Sequence, residues 1–475
     1  MTMDDVLRIE GLTCRPGRGE VRALGSLDLS VRAGEMVLVA GRSGAGKSLL
    51  ARCLAGLVPR VFPGKVTGRV DLLAAPLASL APWEVAQRLG TVFQDPRAGW
   101  FGDTVAEEVA FGPENLGLPP AEVARRVDAA LDATGLSAFR GSPVEALSLG
   151  RRQASAVAAA LAMRPAILVL DEPTSMLDAP SARRVLDALA RLADRDGVAV
   201  IVLEHRTRLV AERATRLVVL ERGQVAYDGD PGRVRDGAFC RRFGLRPPET
   251  PAATGSAPDV GSGEAGPVAR AEAVAFAYPG GETVFTGLDL EVPAGGATVV
   301  TGPNGSGKTT LLKLLAGLLR PGRGRILYRR GGAWAHGPRR SDVAFVGQAP
   351  EYVFRHRTVE GEYASWCVAE GGAGDAAEAG LARLDLAGLR ARHPLSLSEG
   401  EKRRLAVASA LAARPRLLAL DEPSVGFDGA HLDGLLAALD DYARAGGAVL
   451  LASNDPDVLE RGWPRRVDLA PVPAA

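Results

Sequence analysis

The sequence predicts an α/β fold built twice, with two domains that each contain a mainly parallel sheet and helices. Three observations support this prediction. A glycine-rich loop lies between an apolar strand and a Leu-rich helix in each half of the chain. A similar series of motifs follows each loop in the same order, which indicates a duplicated α/β unit. A stretch rich in Pro, Gly, Ala and Ser separates the copies, as expected of a flexible linker.

Length and composition are those of an ordinary globular protein. The chain has 475 residues, enough for about two to four domains. Its 57 basic and 56 acidic residues leave a net charge of +1, so no overall field favours nucleic acid or an anionic membrane. Four scattered cysteines lack the spacing of a zinc or redox motif, and a reducing compartment is expected. We recognise neither a signal peptide nor an apolar membrane span, so we expect a soluble chain.

Both glycine-rich loops fit the spacing G-x-x-x-x-G-K-[ST]. They are Gly41 to Ser48 and Gly302 to Thr309. In such a loop the backbone N–H groups face inward, the following helix adds its positive end, and the lysine reaches the terminal phosphates. An ordinary glycine-rich turn is the alternative, but two of the chain's five lysines, Lys47 and Lys308, stand at the lysine position of the pattern. The loops therefore predict binding of a nucleoside triphosphate.

Polar residues follow the apolar strands of the first copy. A strand from Ile167 ends in Asp171 and Glu172, and the strand Val198 to Leu203 leads to His205. Carboxylates beside a triphosphate are suited to hold a metal ion and to polarise water. A lone histidine is more often structural, but its place after a strand, 33 residues beyond Glu172, favours a role in the site. The other elements predicted for this copy are antiparallel strands within 6–40, a helix over 49–57, a strand ending at Gln94 and a helix over 154–163.

The second copy repeats this order. Its motifs are Lys308, Gln348, the run Leu397 to Arg404, the pair Asp421-Glu422, and Asn454. The offsets between copies are 308 − 47 = 261 for the lysines and 421 − 171 = 250 for the first carboxylates, so the duplication includes small length changes. We predict a first domain over 1–245, a linker over 246–267 and a second domain over 268–475. A linker of this length gives roughly millimolar effective concentration, so the copies should pair within one chain.

These motifs together resemble the nucleotide-binding domain of ATP-binding cassette (ABC) proteins. The shared set is the phosphate loop, the glutamine, the signature Leu147-Ser-Leu-Gly150, the Asp-Glu pair and the histidine. The segment from Val92 to Gly117 resembles more specifically the ATPases of energy-coupling factor (ECF) importers, and Glu204-His205-Arg206 is similar to their switch region. The resemblance implies two P-loop ABC domains, each with a mainly parallel sheet, an antiparallel β subdomain and a helical subdomain.

The resemblance also implies the residues of two ATP sites. The implied catalytic residues are Glu172, His205, Gln94, Glu422 and Gln348. The implied Mg²⁺ ligands are Ser48, Gln94 and Asp171 in one site, and Thr309, Gln348 and Asp421 in the other. The implied ATP-binding residues are Gly41, Ser43, Gly44, Gly46, Lys47, Ser48, Leu49, Gly302, Asn304, Gly305, Gly307, Lys308, Thr309, Thr310, the aromatic Tyr278, and the signature residues Ser148, Gly150, Ser398 and Gly400.

In this family the signature of one copy acts on nucleotide held by the other copy. Site one, built on Lys47, would use Ser398 and Gly400, whereas site two, built on Lys308, would use Ser148 and Gly150. The copies depart from the family pattern in different ways. Leu149 and Arg151 interrupt the first signature, and Glu399 and Glu401 stand in the second. Asn454 replaces the switch histidine, and the first copy lacks an aromatic equivalent to Tyr278. We therefore predict unequal sites, with site one carrying most of the turnover.

The resemblance implies an ATPase that uses ATP and Mg²⁺ at the cytoplasmic face of a membrane. Its expected partners are a transmembrane coupling subunit and a membrane subunit that captures a vitamin or metal ion, and no nucleic acid is expected. Two alternatives remain open. One is the fused ATPase of a sugar-type importer, against which the run Phe111 to Asn115 argues. The other is a soluble tandem ATPase acting on ribosomes or nucleic acid, which would favour a long charged helical linker or zinc-binding cysteines.

Overall fold

The computed structural model describes residues 5–17, 23–93, 100–246, 266–281, 283–339, 341–367, 373–463 and 465–470, apart from the side chains of 149 and 373–377. The chain divides into two compact units, Met1–Pro248 and Glu249–Ala475. Most of the linker predicted over 246–267 lies outside the described residues. Its first residue, Arg246, is buried in the first unit.

The first unit combines two sheets with helices. Its described strands are β1 (Asp5–Pro16), β2 (Leu24–Arg32), β3 (Met36–Ala40), β4 (Gly64–Leu72), β5 (Ala75–Pro76), β6 (Leu89–Val92), β7 (Ile167–Asp171), β8 (Ala199–Leu203), β9 (Arg216–Glu221) and β10 (Gln224–Gly229). Its described helices are α1 (Lys47–Leu54), α2 (Pro82–Arg88), α3 (Val105–Asn115), α4 (Pro120–Thr134), α5 (Leu149–Met163), α6 (Ala179–Asp196), α7 (Thr207–Ala211) and α8 (Gly237–Phe243). Short 3₁₀ helices lie at Leu77–Ser79, Ser137–Phe139, Val144–Ala146 and Pro231–Arg235.

The second unit repeats this plan in a shorter form. Its described strands are β11 (Ala269–Ala277), β12 (Thr283–Val292), β13 (Gly296–Thr301), β14 (Arg323–Arg330), β15 (Ala333–His336), β16 (Val343–Val346), β17 (Leu417–Asp421), β18 (Ala448–Ala452) and β19 (Arg465–Asp468). Its described helices are α9 (Lys308–Leu315), α10 (Val359–Ala364), α11 (Ala373–Arg383), α12 (Glu399–Ala412), α13 (Gly429–Arg444) and α14 (Pro456–Leu459). Short 3₁₀ helices lie at Pro350–Val353, Ala387–Leu389 and Pro394–Ser396.

The parallel sheets bring the predicted site residues together. The strand order is β10-β9-β3-β8-β7-β6 in the first unit and β16-β17-β18-β13-β19 in the second. Strands β3, β6, β7, β8 and β9 are parallel, and so are all five strands of the second sheet. Since parallel strands end at the same edge, the phosphate loop after β3, the carboxylates that end β7 and the polar residues after β8 lie side by side. Ligands of open α/β sheets bind at this edge.

Both faces of the parallel sheet are buried. On β3, Met36, Leu38 and Ala40 belong to the core shared with the helices, whereas Val37 and Val39 belong to the core shared with α1 and the antiparallel sheet. That antiparallel sheet has the order β2-β1-β4-β5, and its counterpart is β12-β11-β14-β15. Continuous apolar runs such as Met36–Ala40 are therefore required, because no side of the strand faces water. The predicted mainly parallel sheet and antiparallel layer are confirmed.

Helix α5 begins earlier than predicted. The sequence predicted a helix over 154–163, but α5 starts at Leu149. The reason is local, since the Ser148 side chain caps the helix by accepting a hydrogen bond from the Arg151 backbone N–H at 3.4 Å. Polar residues that looked like a loop therefore form the first turn of the helix.

Gly41 provides a test of the first phosphate loop. Its φ of 149° is a conformation that suits glycine, and a Cβ there would lie 2.4 Å from the Leu220 carbonyl oxygen. Gly117 has a φ of 69°, but a Cβ there would meet nothing within 4 Å among the described residues. We expect Gly41→Ala to cost roughly 3 kcal/mol or more and Gly117→Ala about 1–2 kcal/mol, because only the first adds a clash to backbone strain. Apparent melting temperatures of the two variants check this, and equal losses would contradict it.

Candidate functional site

The carbonyl oxygens of the first phosphate loop accept hydrogen bonds from the lysine of the same loop. Gly46 adopts the left-handed conformation, with φ 104°, and α1 begins at the next residue. The Lys47 ammonium donates to the carbonyl oxygens of Gly41 at 2.8 Å and Arg42 at 3.3 Å, and the side chain is buried. The lysine charge is thereby held inside the curve of the loop, at the helix N-terminus that also favours anions.

The second phosphate loop has the same geometry. Gly307 is left-handed, with φ 94°, and α9 begins at Lys308. The Lys308 ammonium donates to the carbonyl oxygens of Gly302 at 2.6 Å and Pro303 at 3.1 Å. Both predicted loops thus have the same backbone conformation, a glycine-containing turn after a buried parallel strand.

A buried aspartate lies against the first turn of each loop helix. The Ser48 hydroxyl hydrogen-bonds to Asp171, and the Thr309 hydroxyl donates to Asp421 Oδ2 at 2.8 Å. Burial raises the pKa of Asp171 to about 6 and also raises the pKa of Asp421, although the neighbouring hydroxyl groups and lysines oppose the shifts. In both carboxylates Oδ1 is buried and accepts no hydrogen bond within the described parts of the chain.

The glutamine adds a third polar group to the second site. Gln348 Nε2 lies 3.4 Å from the Thr309 hydroxyl, and its side chain also hydrogen-bonds to Asp421. The structure thus brings together the three residues predicted to contact a metal ion at site two. Gln94, predicted for the same position of site one, lies outside the described residues.

Two of the three predicted catalytic residues of the first unit lie side by side. Glu172 follows β7 with a left-handed φ of 52°, and its backbone N–H donates to the Leu203 carbonyl oxygen at 2.8 Å. Glu172 Oε1 lies 3.4 Å from His205 Nε2, and both side chains are buried. Burial, followed by the charges of Glu204 and Asp171, raises the pKa of the Glu172 carboxyl group. A carboxylate with a raised pKa beside the end of a phosphate loop is suited to accept a proton from water.

Glu204 is a site residue that the sequence interpretation did not select. Its carboxylate accepts hydrogen bonds from the Thr174 hydroxyl at 2.6 Å and from the His205 backbone N–H at 2.9 Å. It therefore fixes the turn that carries His205 while its charge acts on Glu172. The sequence does contain a signal for Glu204, namely a carboxylate directly after a buried apolar strand. A charge buried at such a position requires a specific partner.

The second unit has different groups at these positions. The register of β17 with β18 aligns Ser453 and Asn454 with Glu204 and His205. The Ser453 hydroxyl donates to Glu422 Oε2 at 3.3 Å, so a neutral donor replaces the neighbouring carboxylate. Asn454 Oδ1 accepts hydrogen bonds from the Gly302 backbone N–H and the Thr301 hydroxyl, both at 3.3 Å. Site two thus has a candidate base with a serine hydroxyl beside it and an asparagine at the position of the histidine.

The signature serines begin α5 and α12. Ser398 caps α12 in a capping box, and its hydroxyl and backbone N–H both donate to Glu401 Oε2, at 2.9 and 2.8 Å. Glu399 is paired with Lys402 at 2.8 Å. The two carboxylates that depart from the family pattern are therefore held by groups at the start of their own helix.

The remaining predicted residues occupy the loops and helix starts described above. Ser43, Gly44, Asn304 and Gly305 lie in the phosphate loops, and Leu49 and Thr310 lie in α1 and α9. Gly150 and Gly400 lie in the first turns of α5 and α12. The pairing of each signature with the loop of the other unit stays a prediction.

Tyr278 lies next to the second loop helix. It is 41% exposed, packs edge-on against Phe276, and its hydroxyl lies 3.1 Å from the Thr310 hydroxyl. If its ring stacks on adenine, we expect Tyr278→Ala to weaken nucleotide binding at site two by roughly 5- to 100-fold, because base stacking contributes about 1–3 kcal/mol. Tyr278→Phe keeps the ring and should retain most of the affinity. A fluorescent ATP analogue titrated in a Lys47→Ala background measures this, and equal affinity of both variants would argue against stacking.

Fold and site define a class of protein. A glycine-rich loop between a parallel strand and a helix, with a buried Asp and a candidate base at the end of another strand of the same sheet, is the nucleotide site of a P-loop NTPase. The ABC transporter family model matches residues 24–175 and 285–425, once in each unit. The chain belongs to this family and is a tandem ABC ATPase, so it binds and hydrolyses ATP.

Curated relatives match nearly the whole chain. A putative ABC transporter ATP-binding protein of Methanosarcina acetivorans is 33% identical, over 95% of this chain and 82% of the relative. The putative HMP/thiamine import ATP-binding protein YkoD of Bacillus subtilis is 31% identical, over 96% of this chain and 88% of the relative. Among solved structures, cbiO1 of Clostridium perfringens, part of the ABC transporter complex cbiONQ, is 29% identical over 50% of this chain and 94% of that chain, with a TM-score of 0.44.

No helix within the ranges given above is both long enough and apolar enough to cross a bilayer. ATP-binding components of ABC transporters work with membrane subunits.

Proposed function

We propose that this chain is the energy-coupling ATPase of an ECF-type importer for a vitamin or metal ion. The observation that carries the proposal is the segment from Asp103 to Gly117, whose sequence resembles ECF ATPases. In the structure most of this segment is α3, capped by Thr104 and Glu107. The name of the Bacillus subtilis relative, a putative thiamine import protein, supports the same function.

The proposed chemistry of site one follows from its own residues. Lys47 and the loop N–H groups bind the terminal phosphates of ATP. Glu172 orients and deprotonates the attacking water. His205, whose Nε2 lies 3.4 Å from Glu172 Oε1, donates a hydrogen bond to the γ-phosphate. The surrounding burial keeps bulk water from competing for these groups.

The residues beside the loops fit Mg²⁺. Mg²⁺ takes oxygen ligands and usually keeps several waters, so one carboxylate and one hydroxyl suffice as protein ligands. Asp171 and Asp421 meet this need. Each has a buried Oδ1 that accepts no hydrogen bond from the described residues, and each lies beside the hydroxyl group of Ser48 or Thr309. Ser48 and Asp171 would hold the ion at site one, and Thr309, Asp421 and Gln348 at site two. The bound ion would neutralise charge on the transferred phosphoryl group.

We further propose that the two sites are unequal. Glu172 Oε1 lies 3.4 Å from His205 and is influenced by the charge of Glu204, whereas Glu422 Oε2 accepts a hydrogen bond from Ser453 at 3.3 Å and Asn454 stands at the position of His205. A base whose pKa is raised towards the working pH is more effective in proton transfer. Site one would therefore carry most of the turnover, with the signature of the second unit completing it as the resemblance implies.

Co-purification tests the proposed partner. The full chain is co-expressed with the membrane subunits encoded beside it, extracted in detergent and purified through a tag on the chain. We expect an ECF-type transmembrane subunit to remain bound and ATP hydrolysis to accompany uptake in proteoliposomes. Recovery of a sugar-type permease would instead support the first alternative, and cosedimentation with ribosomes the second.

A further inference from the structure

The first unit ends in a short segment that follows its parallel sheet. After β10 the chain forms the 3₁₀ helix Pro231–Arg235 and then α8. The Asp236 carboxylate caps α8 by accepting hydrogen bonds from the backbone N–H groups of Ala238 at 2.9 Å and Phe239 at 3.3 Å. We call residues 237–246, which comprise α8 and the three residues after it, the return segment.

The return segment changes direction at the end of α8. Gly244 has a left-handed φ of 64°, and its backbone N–H donates to the Arg241 carbonyl oxygen at 3.3 Å. The backbone N–H of Leu245 donates to the Cys240 carbonyl oxygen at 2.9 Å, as is common where a helix ends in glycine. The Leu245 side chain is buried in the core that also contains Val210 of α7. The turn therefore directs the chain back into the first unit.

The return segment packs against the first phosphate loop. A Cβ at Gly244 would lie 2.4 Å from Arg42 Nε and 2.7 Å from Arg42 Cγ, so Gly244 is in close contact with that side chain. Arg42 belongs to the loop, and its carbonyl oxygen accepts a hydrogen bond from the Lys47 ammonium at 3.3 Å. The last residues of the return segment thus lie beside the loop of site one.

Arg246 ends the return segment as a buried cation. It is only 5% exposed, although the sequence pattern predicts it as the first residue of a flexible linker. A buried guanidinium requires acceptors or opposite charges around it, because removing a charge from water is unfavourable. Its burial indicates that Arg246 acts within the first unit.

The charge of Arg246 acts on the candidate base of site one. Burial raises the pKa of Glu172, and so do the charges of Glu204 and Asp171. The charges of Lys47 and Arg246 lower it. The buried carboxylates therefore have one cation at the end of the phosphate loop and a second one from the return segment.

We propose that Arg246 is a positioning residue of site one, whose buried charge holds the Glu172 carboxylate in the orientation that accepts a proton from the attacking water. The inference rests on the role of Glu172 in the proposed function and adds a residue that acts through it. Asp171, Glu172 and Glu204 are all buried, and like charges in a poorly solvated site repel one another strongly. A fixed cation beside them keeps the base from turning away from the water.

A role limited to anchoring α8 explains the buried charge less well. Phe239, Phe243 and Leu245 are buried, so apolar side chains already anchor the return segment. A buried charge is an inefficient way to add stability, because the loss of its hydration offsets much of the Coulomb attraction. An electrostatic effect on the carboxylates of site one accounts for a cation at this place.

ATP hydrolysis by the purified full chain tests the proposal. Phosphate release is measured over a range of ATP concentrations with Mg²⁺ in excess. We expect Arg246→Gln to lower kcat by about tenfold or more and to change KM by less than about threefold, because the lost interaction supports the chemical step and not the binding of ATP. Arg246→Lys keeps the charge and should retain a kcat within about threefold of the wild-type value.

Arg241→Gln is the matched control. It makes the same change in net charge at an exposed position of α8, five residues before Arg246, and should leave kcat within about twofold of the wild-type value. Apparent melting temperatures of all variants show whether lower rates reflect less folded protein. If Arg246→Gln does not fold, Arg246→Lys decides, since a tenfold fall in its kcat at an unchanged melting temperature would overturn the role assigned to the charge.

The outcomes separate this inference from the proposed function when Glu172→Gln is measured in the same assay. If Glu172→Gln abolishes most of the turnover and a folded Arg246→Gln works at the wild-type rate, the inference fails alone. Equal losses of kcat in folded Arg246→Gln and Arg246→Lys would also overturn it. A change in KM without a change in kcat would overturn it too and would make Arg246 a nucleotide-binding residue. If Glu172→Gln leaves turnover intact, the proposed chemistry of site one fails, and the role of Arg246 fails with it.

Discussion

Glu172→Gln lowers the ATP turnover of the assembled transporter by roughly 100-fold or more, since a general base contributes about 10²- to 10⁴-fold. The glutamine keeps the shape of the side chain but cannot accept the proton of the attacking water. Glu422→Gln retains a large part of the turnover, because Ser453 and Asn454 stand at the positions that Glu204 and His205 occupy in site one. Steady-state phosphate release from proteoliposomes measures both.

The paired design makes the comparison decisive. Both substitutions remove one carboxylate at the same position of the fold, buried in the case of Glu172 and partly buried in the case of Glu422, so general destabilisation should be similar in the two variants. Equal melting temperatures would confirm that point. If Glu422→Gln abolished turnover and Glu172→Gln left it largely intact, the assignment of the dominant site would be wrong.

Lys47→Ala lowers kcat/KM for ATP by roughly 10- to 100-fold, since hydrogen bonds to charged groups contribute about 1.5–3 kcal/mol each. The ammonium is held at the Gly41 and Arg42 carbonyl oxygens, inside the curve where the phosphates would lie. Its loss removes both the cation and a fixed donor. Initial rates at varied ATP concentration measure the effect.

Lys65→Ala is the matched control for this prediction. Lys65 is an exposed lysine of β4 in the same unit, so its removal makes the same change in net charge away from the loop. Its rate should stay within about twofold of the wild-type rate, as expected for a surface substitution. A Lys47→Ala variant with wild-type kcat/KM would show that site one does not carry the turnover.

Local sequence patterns were sufficient to predict the strands and loops that form the two sites. The apolar run Met36 to Ala40 must be a strand buried on both faces, and the glycines after it allow the loop that α1 follows. The offsets between the two lysines and between the two aspartates identify the duplication. These predictions succeeded because backbone conformation and burial depend mostly on residues close in the chain.

Contacts between distant residues were not predictable in the same way. Glu204 precedes His205 in the chain, but only the register of β7 with β8 brings its charge to Glu172. The first turn of α5 was missed because its polar residues have no helical apolar pattern, although Ser148 caps them. The carboxylates of the second signature looked unfavourable in the sequence, yet Glu401 is held by Ser398.

The sequence alone determined that this protein is a duplicated α/β ATPase with two phosphate loops, because loop chemistry and strand burial are encoded within short segments. Only the tertiary structure decided which polar atoms lie beside each loop and which hydrogen bonds they make. It also revealed that a buried glutamate holds the backbone before a helix in both units, Glu108 at Phe101 and Gly102, and Glu362 at Arg355 and His356. Hydrogen-bond partners and surface charge depend on how separate segments of the chain pack together. That packing cannot be read directly from the amino-acid sequence.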